Sequence, residues 1–203
     1  HNICNLIRND SIEEFIIYVN KTNLPLNSHI PQSIFETNSF LLKNNPTLIE
    51  YSAFYGSIQI FQYLRLNNVD LDEKLWFYSI HGKNPEIIHL LEESEVPFRS
   101  YEILFENSTK FFSNEIALYF RNNYFEKELC RTCIFYPIKF HNYNLMIDDL
   151  YYDETTENNY LEELKSYNFY CLCKFNYVYF VDIILQLNLK NINQEIIFFN
   201  INL

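Results

Sequence analysis

The sequence has 203 residues, of which 48% are hydrophobic and 18% aromatic, so it can bury a substantial core as one domain or as an elongated array. The 26 acidic residues outnumber the 15 basic ones, and the formal net charge of -11 repels nucleic-acid phosphate and anionic lipid. We therefore expect neither nucleic acid nor a membrane as a partner. Because no apolar run approaches the roughly 18 residues that a membrane helix needs, we expect a cytoplasmic protein.

The first predicted element is a helical segment near the N-terminus. The letters SIEEF at residues 11–15 match the letters SIQIF at residues 57–61, so this segment is a weak copy of a later one. Residues 24–46, which follow it, do not fit the same template. We interpret them as a divergent repeat or an insertion.

Two segments in the middle of the chain are close copies of each other. LIEYSAFYGSIQIFQYL at residues 48–64 and LWFYSIHGKNPEIIHLL, which begins 27 residues later, align without a gap. Apolar residues recur at three and four positions within each copy, which indicates helix, and Gly56, Gly82 and Pro85 favour a turn in the middle. Each copy therefore predicts two short antiparallel helices. Lys83 occupies the turn of the second copy, where a positive φ would strain it, so we expect a turn of different shape there.

Two further copies lie in the second half of the chain. SNEIALYFRNN at residues 113–123 and FYCLCKFNYVYFVDIILQLNLKNIN at residues 169–193 repeat the helical pattern, whereas residues 126–166 fit it poorly. Short helix pairs cannot bury their apolar faces alone, so neighbouring pairs must stack. The sequence therefore predicts an all-α solenoid of about six helix pairs in one array, 1–203. Its clearest repeats are 47–72, 74–98, 101–124 and 167–193.

The cysteines permit a zinc site on paper, because Cys130, Cys133, Cys171 and Cys173 lie in two close pairs and His141 is near the first pair. The C-x-C spacing argues against it, since on a helix it directs the two thiols about 200° apart. We interpret the cysteines as small apolar residues in a reducing compartment and expect no bound metal.

No catalytic motif is present. The chain lacks G-x-S-x-G, G-x-x-x-x-G-K-[ST], G-x-G-x-x-G and H-E-x-x-H, and its 2 glycines are too few for a phosphate-binding loop. His81 and His89 lie near Glu86, as an acid–base pair would, but Glu86 lies at the ordinary acidic position of the repeat. We predict that the protein is not an enzyme and has no cofactor and no small-molecule substrate.

Two segments resemble the ankyrin repeat. TLIEYSAFYGSIQIF at residues 47–61 resembles the family pattern T-P-L-H-x-A-A-x-x-G-H-x-E-I-V, and LCKFNYVYFV at 172–181 followed by NIN at 191–193 resembles its second half. The middle of the chain is also similar to a divergent ankyrin-like domain that is abundant in some AT-rich protists. The sequence departs from the pattern at its Pro, which Leu48, Leu75 and Asn168 replace. With 27 residues between copies, the finger turns are expected to be shorter than in the roughly 33-residue repeat.

The resemblance implies protein binding through the concave face, which the first helices and the preceding fingers form. The partner-binding residues predicted on this face are Tyr51, Phe54 and Tyr55 from one repeat, Tyr78 and His81 from the next, and Asp70, Asp72 and Lys74 on the finger between them. Aromatic side chains on a rigid frame suit protein recognition because they give a large contact area at little entropic cost. The alternative for Tyr51 and Tyr78 is that they pack against the neighbouring repeat.

Two functions from different classes agree with this prediction. The first is an adaptor or scaffold that binds another protein reversibly through the concave face. The second is an architectural subunit that is built permanently into a cytoskeletal or axonemal, microtubule-associated assembly. The 17 Tyr and 19 Phe favour the second, because they exceed what a slender solenoid core needs.

Overall fold

The computed structural model describes the chain in six stretches. These are residues 2–30, 36–125, 131–145, 167, 169–179 and 181–182. They belong to two compact units, one within residues 1–120 and the other within residues 121–203. Most of the described residues are helical, and the only β-pairing among them is an isolated antiparallel bridge between His29 and Thr47. The all-α prediction is thus confirmed for this part of the chain.

Ten helices with defined ends lie within the described residues. They are α1 Asn2–Arg8, α2 Ile12–Thr22, α3 Ser39–Asn44, α4 Leu48–Tyr55, α5 Ile58–Leu66, α6 Leu75–Gly82, α7 Pro85–Glu93, α8 Tyr101–Lys110, α9 Asn114–Tyr124 and α10 Arg131–Lys139. Shorter helical stretches lie at 143–145, 169–174, 178–179 and 181–182.

Local capping explains where several of these helices begin. At the start of α4 the Thr47 hydroxyl accepts a hydrogen bond from the Glu50 amide, and the Glu50 carboxylate accepts one from the Thr47 amide. This reciprocal arrangement is a capping box, which satisfies two amides that a helix start otherwise leaves unpaired. The Asn84 side chain caps α7, and Pro85 occupies the first helical position, where the missing amide costs nothing.

A turn with a left-handed residue joins the two helices of each of six pairs in the described part of the chain. One residue in each turn adopts the left-handed conformation, with φ between 50° and 67°; these residues are Asp10, Gly56, Lys83, Phe112, His141 and Asn176. In five of the six turns the next amide donates to the carbonyl oxygen five residues earlier, at 2.9 Å. Lys83 adopts the left-handed conformation like the others, but its turn is the one without this hydrogen bond, so the expected difference in shape lies in the hydrogen bonding and not in the backbone angle.

The helix pairs within residues 1–120 form two layers. The first helices α1, α4, α6 and α8 contact one another in that order. The second helices α2, α5 and α7 also contact in order, and each packs against the first helix of its own pair. Helix α3 belongs to neither layer.

Side-chain hydrogen bonds link one pair to the next. The Ser57 hydroxyl donates to the carbonyl oxygen of Ile7 at 2.5 Å, and Ser113 makes the equivalent bond to Ile80 at 2.5 Å. Each serine directly follows the left-handed residue of its own turn. The acceptors, Ile7 and Ile80, each lie three positions before the left-handed residue of the turn in the neighbouring pair. The pair α1/α2 is therefore the direct neighbour of α4/α5, and residues 24–46 are an insertion between them.

The two glycines of the chain meet where α4 and α6 come closest. A Cβ atom on Gly82 would overlap the carbonyl oxygen of Ala53, and one on Gly56 would lie 2.8 Å from the carbonyl oxygen of Gly82. The sequence pattern placed both glycines in turns. In the structure only Gly56 has a positive φ, whereas Gly82 ends α6 and permits close approach of the two backbones.

The unit within residues 121–203 repeats the same construction. The Tyr177 hydroxyl donates to the carbonyl oxygen of Ile138 at 2.9 Å, in the position that Ser57 and Ser113 occupy in the other unit. A core forms around this bond from Ile134, Ile138, Cys171, Leu172 and Tyr177. Most of the divergent stretch 126–166 and the end of the last predicted repeat, including 191–193, lie outside the described residues.

Candidate protein-binding surface

Equivalent aromatic positions of α4 and α6 lie side by side. We call the rings of Phe54, Tyr55 and His81 the first-helix surface. Phe54 and His81 have matching positions in the two copies, and their ring centroids are 5.1 Å apart. Tyr55 extends the surface from Phe54, at 5.2 Å between centroids. Stacking of the repeats therefore converts a sequence repeat into one continuous aromatic surface.

Tyr51 and Tyr78 lie at the base of this surface and are each 1% exposed. Packing against neighbouring elements is thus what the structure shows for these two rings. Burial raises the pKa of both hydroxyls above the usual value of 10.0, so both remain protonated. Phe54, Tyr55 and His81 are only partly buried.

His81 lies at the centre of the aromatic side chains. Its ring centroid is 3.8 Å from that of Phe111, and its Nε2 atom is buried with no hydrogen-bond partner among the described residues. Burial, and to a smaller extent the charges of Lys110 and Lys83, lower the pKa of His81 to about 4. The imidazole is therefore neutral at physiological pH and behaves as another ring of the surface.

The predicted finger residues are exposed. Lys74 lies 3.9 Å from the Asp72 carboxylate, and the same carboxylate accepts a hydrogen bond from the Lys74 amide at 3.0 Å. The Asp70 amide donates to the Asn27 side chain at 3.3 Å. Asp72 also contributes to the raised pKa of Tyr78, so its charge acts on the base of the first-helix surface.

Part of the first-helix surface is covered by the insertion, which the sequence did not indicate. The ring of Phe40 on α3 lies 6.0 Å from Phe54, 5.1 Å from Tyr78 and 4.5 Å from His81. The sequence contained one local signal for the start of α3. Asn38 caps this helix by accepting hydrogen bonds from the Phe40 and Leu41 amides. An asparagine before an apolar run predicts a helix start but not what the helix contacts.

Glu36 attaches the insertion to the first helices. Its carboxylate accepts a hydrogen bond from the Arg8 guanidinium at 2.8 Å and one from the Tyr51 hydroxyl at 3.2 Å. Arg8 donates a further bond to the Tyr51 hydroxyl at 2.9 Å and lies over the Tyr55 ring, 5.1 Å from its centroid. Arg8, Glu36 and Phe40 are thus functional candidates that sequence reasoning missed.

No group of three or more His, Cys, Asp or Glu side chains within the described residues could hold a metal ion, and Cys130 lies outside them. His89 and Glu92 approach to 3.2 Å on α7, while Tyr119 donates to the same carboxylate at 2.7 Å. Glu86, considered above as a catalytic partner of the histidines, is exposed. Among the described helices, none has the length and apolar character needed to cross a membrane.

Comparison of the chain with protein-family models, with curated proteins and with solved structures gave no match.

Proposed function

We propose that the chain is a divergent ankyrin-type repeat protein that binds another protein through its first-helix surface, as a cytoplasmic adaptor or scaffold. The observation that supports this proposal is the side-by-side placement of equivalent aromatic residues on adjacent first helices. Phe54 and His81 occupy matching positions, and the two-layer packing of α4 and α6 brings their rings to 5.1 Å.

The chemistry of the surface suits a protein ligand. Phe54, Tyr55 and His81 are held by neighbouring rings, so little side-chain entropy is lost when a partner contacts them. The exposed Asp70, Asp72 and Lys74 lie at the edge, where charges act on association rate and salt dependence. A row of rings on adjacent helices suits an extended protein segment, whereas a small apolar ligand would need an enclosed cavity.

Site-specific photo-crosslinking in native extract tests the proposal. A photoreactive phenylalanine analogue at Tyr55 is expected to yield an adduct with a distinct protein, whereas the same analogue at Gln62, an exposed position on the second helix α5, is expected to yield none. An adduct from Gln62 alone would place the partner on the opposite face and defeat the proposal.

Alanine substitution measures the energetic contribution. Phe54→Ala combined with Tyr55→Ala is expected to weaken binding of the crosslinked partner by about 2 kcal/mol, roughly 30-fold in Kd. The reason is that the binding energy of an interface concentrates in a few aromatic side chains. Circular dichroism must show unchanged helicity, and Gln62→Ala serves as the matched control. An unchanged Kd in the folded double variant would remove the aromatic residues from the interface.

The architectural alternative is supported by exposed apolar side chains on other faces. Ile17 on α2, Leu66 on α5 and Phe112 in a turn are 64%, 74% and 50% exposed. A subunit covered on several sides by a cytoskeletal or axonemal assembly would bury such residues. Single substitutions of these three residues by serine are then expected to reduce incorporation of the protein into the assembly by similar amounts. Partner binding by an adaptor would be affected only by changes on the first-helix surface.

A further inference from the structure

The insertion places one aromatic side chain on the first-helix surface. Phe40 contacts rings from two adjacent repeats, with centroid distances of 6.0 Å to Phe54 and 4.5 Å to His81. Its ring plane is inclined by only 16° to that of Phe54, which is a stacked arrangement. The surface therefore accepts an aromatic side chain, and in this structure the side chain comes from the chain itself.

Most of the helix in this segment is exposed. On α3 only Leu41 is fully buried, whereas Leu42 is 44% exposed and Lys43 and Asn44 are exposed as well. A helix of 6 residues is too short to form alone in water, so α3 is helical only while it is docked. The segment is also attached by the ion pair of Glu36 with Arg8, whose side chains are 14% and 33% exposed, and by the hydrogen bond of the Tyr51 hydroxyl to Glu36. At its other end, His29 Nδ1 and the Asn45 carbonyl oxygen form a hydrogen bond of 2.7 Å.

The docked arrangement leaves polar atoms unsatisfied. Two of the residues that Phe40 contacts, Tyr78 and His81, each have a buried polar atom without a hydrogen-bond partner among the described residues, the hydroxyl of Tyr78 and Nε2 of His81. A buried polar atom without a partner costs free energy, and the Phe40 ring offers neither atom a hydrogen bond. A ligand that offers a hydrogen-bonding group here would satisfy what α3 does not.

We propose that residues 36–45 are a built-in competitor for the first-helix surface, which must leave before the protein partner binds. This inference rests on the proposed function. The segment also indicates the kind of partner that fits: a peptide segment with a carboxylate four residues before an aromatic side chain. In the chain itself Glu36 binds Arg8 and Phe40 binds the rings, and a partner segment would use the same two positions.

A peptide that copies the segment tests the competition directly. The probe is a fluorescein-labelled peptide of residues 36–45, ETNSFLLKNN, measured by fluorescence anisotropy with the full chain. The double variant Glu36→Gln with Phe40→Ala is expected to bind it at least tenfold more tightly than the wild type, because its own segment no longer occupies the surface. Leu42→Ala, on the exposed side of α3, is the matched control and should bind like the wild type.

A peptide in which alanine replaces the phenylalanine is expected not to bind. Equal binding of the original peptide to wild type and double variant, or no binding to the folded double variant, would overturn the proposal. If the double variant does not fold, amide hydrogen exchange of the wild type decides. Amides of α3 should exchange at least 100-fold faster than those of α4, and exchange at the same rate would show that α3 is a permanent part of the fold.

The partner identified by crosslinking separates this inference from the proposed function. If that partner binds the first-helix surface but gains no affinity in the double variant, residues 36–45 are not a competitor, while the proposed function stands. If no partner is crosslinked from Tyr55, the proposed function fails. In that case, tighter binding of the peptide to the double variant than to the wild type would still support the inference that residues 36–45 occupy the first-helix surface.

Discussion

At the scale of single residues, backbone conformation limits the choice of side chain at only a few positions. Six turns require a left-handed residue, but five of them use Asp, Lys, Phe, His or Asn in place of Gly. Such residues adopt positive φ at a cost of roughly 1–2 kcal/mol, which the packing of the helix pairs must offset. Glycine is required where two backbones approach, as at Gly82 and Ala53.

Substitution of Gly82 should show this requirement. In an exposed helix Gly→Ala stabilises by about 1 kcal/mol, but here the added methyl group would overlap the Ala53 carbonyl oxygen. We expect Gly82→Ala to lower the free energy of unfolding by about 1–3 kcal/mol, as overpacking does. Urea unfolding followed by circular dichroism measures the change.

The adjacent substitution Lys83→Gly is the control, because it relieves a positive φ of 53° at an exposed side chain. It should leave the free energy of unfolding unchanged or raise it by up to about 1 kcal/mol. A stabilised Gly82→Ala would mean that α4 and α6 do not approach as closely as described.

At the scale of elements, helices are completed by groups from neighbouring pairs. The Ser57 side chain does not cap α5, since it bonds to Ile7 instead. The Asp10 carboxylate, from the turn of the preceding pair, accepts hydrogen bonds from the Gln59 and Ile60 amides at 3.0 Å each. A negative charge at this end is also favoured by the helix dipole.

Removal of this cap should weaken the contact between the first two pairs. Asp10→Ala loses both hydrogen bonds and the tolerance of aspartate for positive φ, so we expect it to lower the free energy of unfolding by about 1–2 kcal/mol. Asp10→Asn retains an acceptor oxygen and tolerates the same φ, and its loss should be smaller. Equal losses for the two variants in thermal unfolding would assign the effect to charge alone.

At the scale of the whole molecule, the construction predicts that stability depends on neighbours. Within residues 1–120 each helix pair contacts the pair beside it, so the stability of such a stack is close to a sum of pair and interface terms. The compact unit within residues 1–120 contains three complete pairs and most of a fourth, whose second helix, α9, continues to Tyr124. Four stacked pairs exceed the roughly three that a repeat array needs.

A fragment of residues 1–125 should therefore fold on its own. We expect a helical circular dichroism spectrum and one cooperative urea transition. A shorter fragment, 1–98, lacks α8 and should be less stable, because α6 loses a helix that it contacts. A fragment 1–125 without helical signal would show that this unit depends on the rest of the chain.

The sequence by itself determined helices α4 to α7 and their pairing. Period and turn residues in 48–64 and 75–91 predicted α4 to α7, because helix formation, capping and turn conformation depend on residues a few positions apart. The same locality explains why Phe54 and His81 were recognised as equivalent. The ankyrin resemblance remains a proposal for the arrangement of these pairs.

Only the tertiary structure decided which aromatic residues are buried and what covers the others. The local sequence around Tyr51 and Tyr78 does not distinguish a buried ring from an exposed one. Their burial depends on packing between neighbouring helices. The position of α3 depends on the bonds of Glu36 to Arg8, 28 residues away, and to Tyr51. Contacts between residues so distant in sequence leave no periodic pattern. Each of the two residues fits the pattern of its own segment, whether or not the other residue is present.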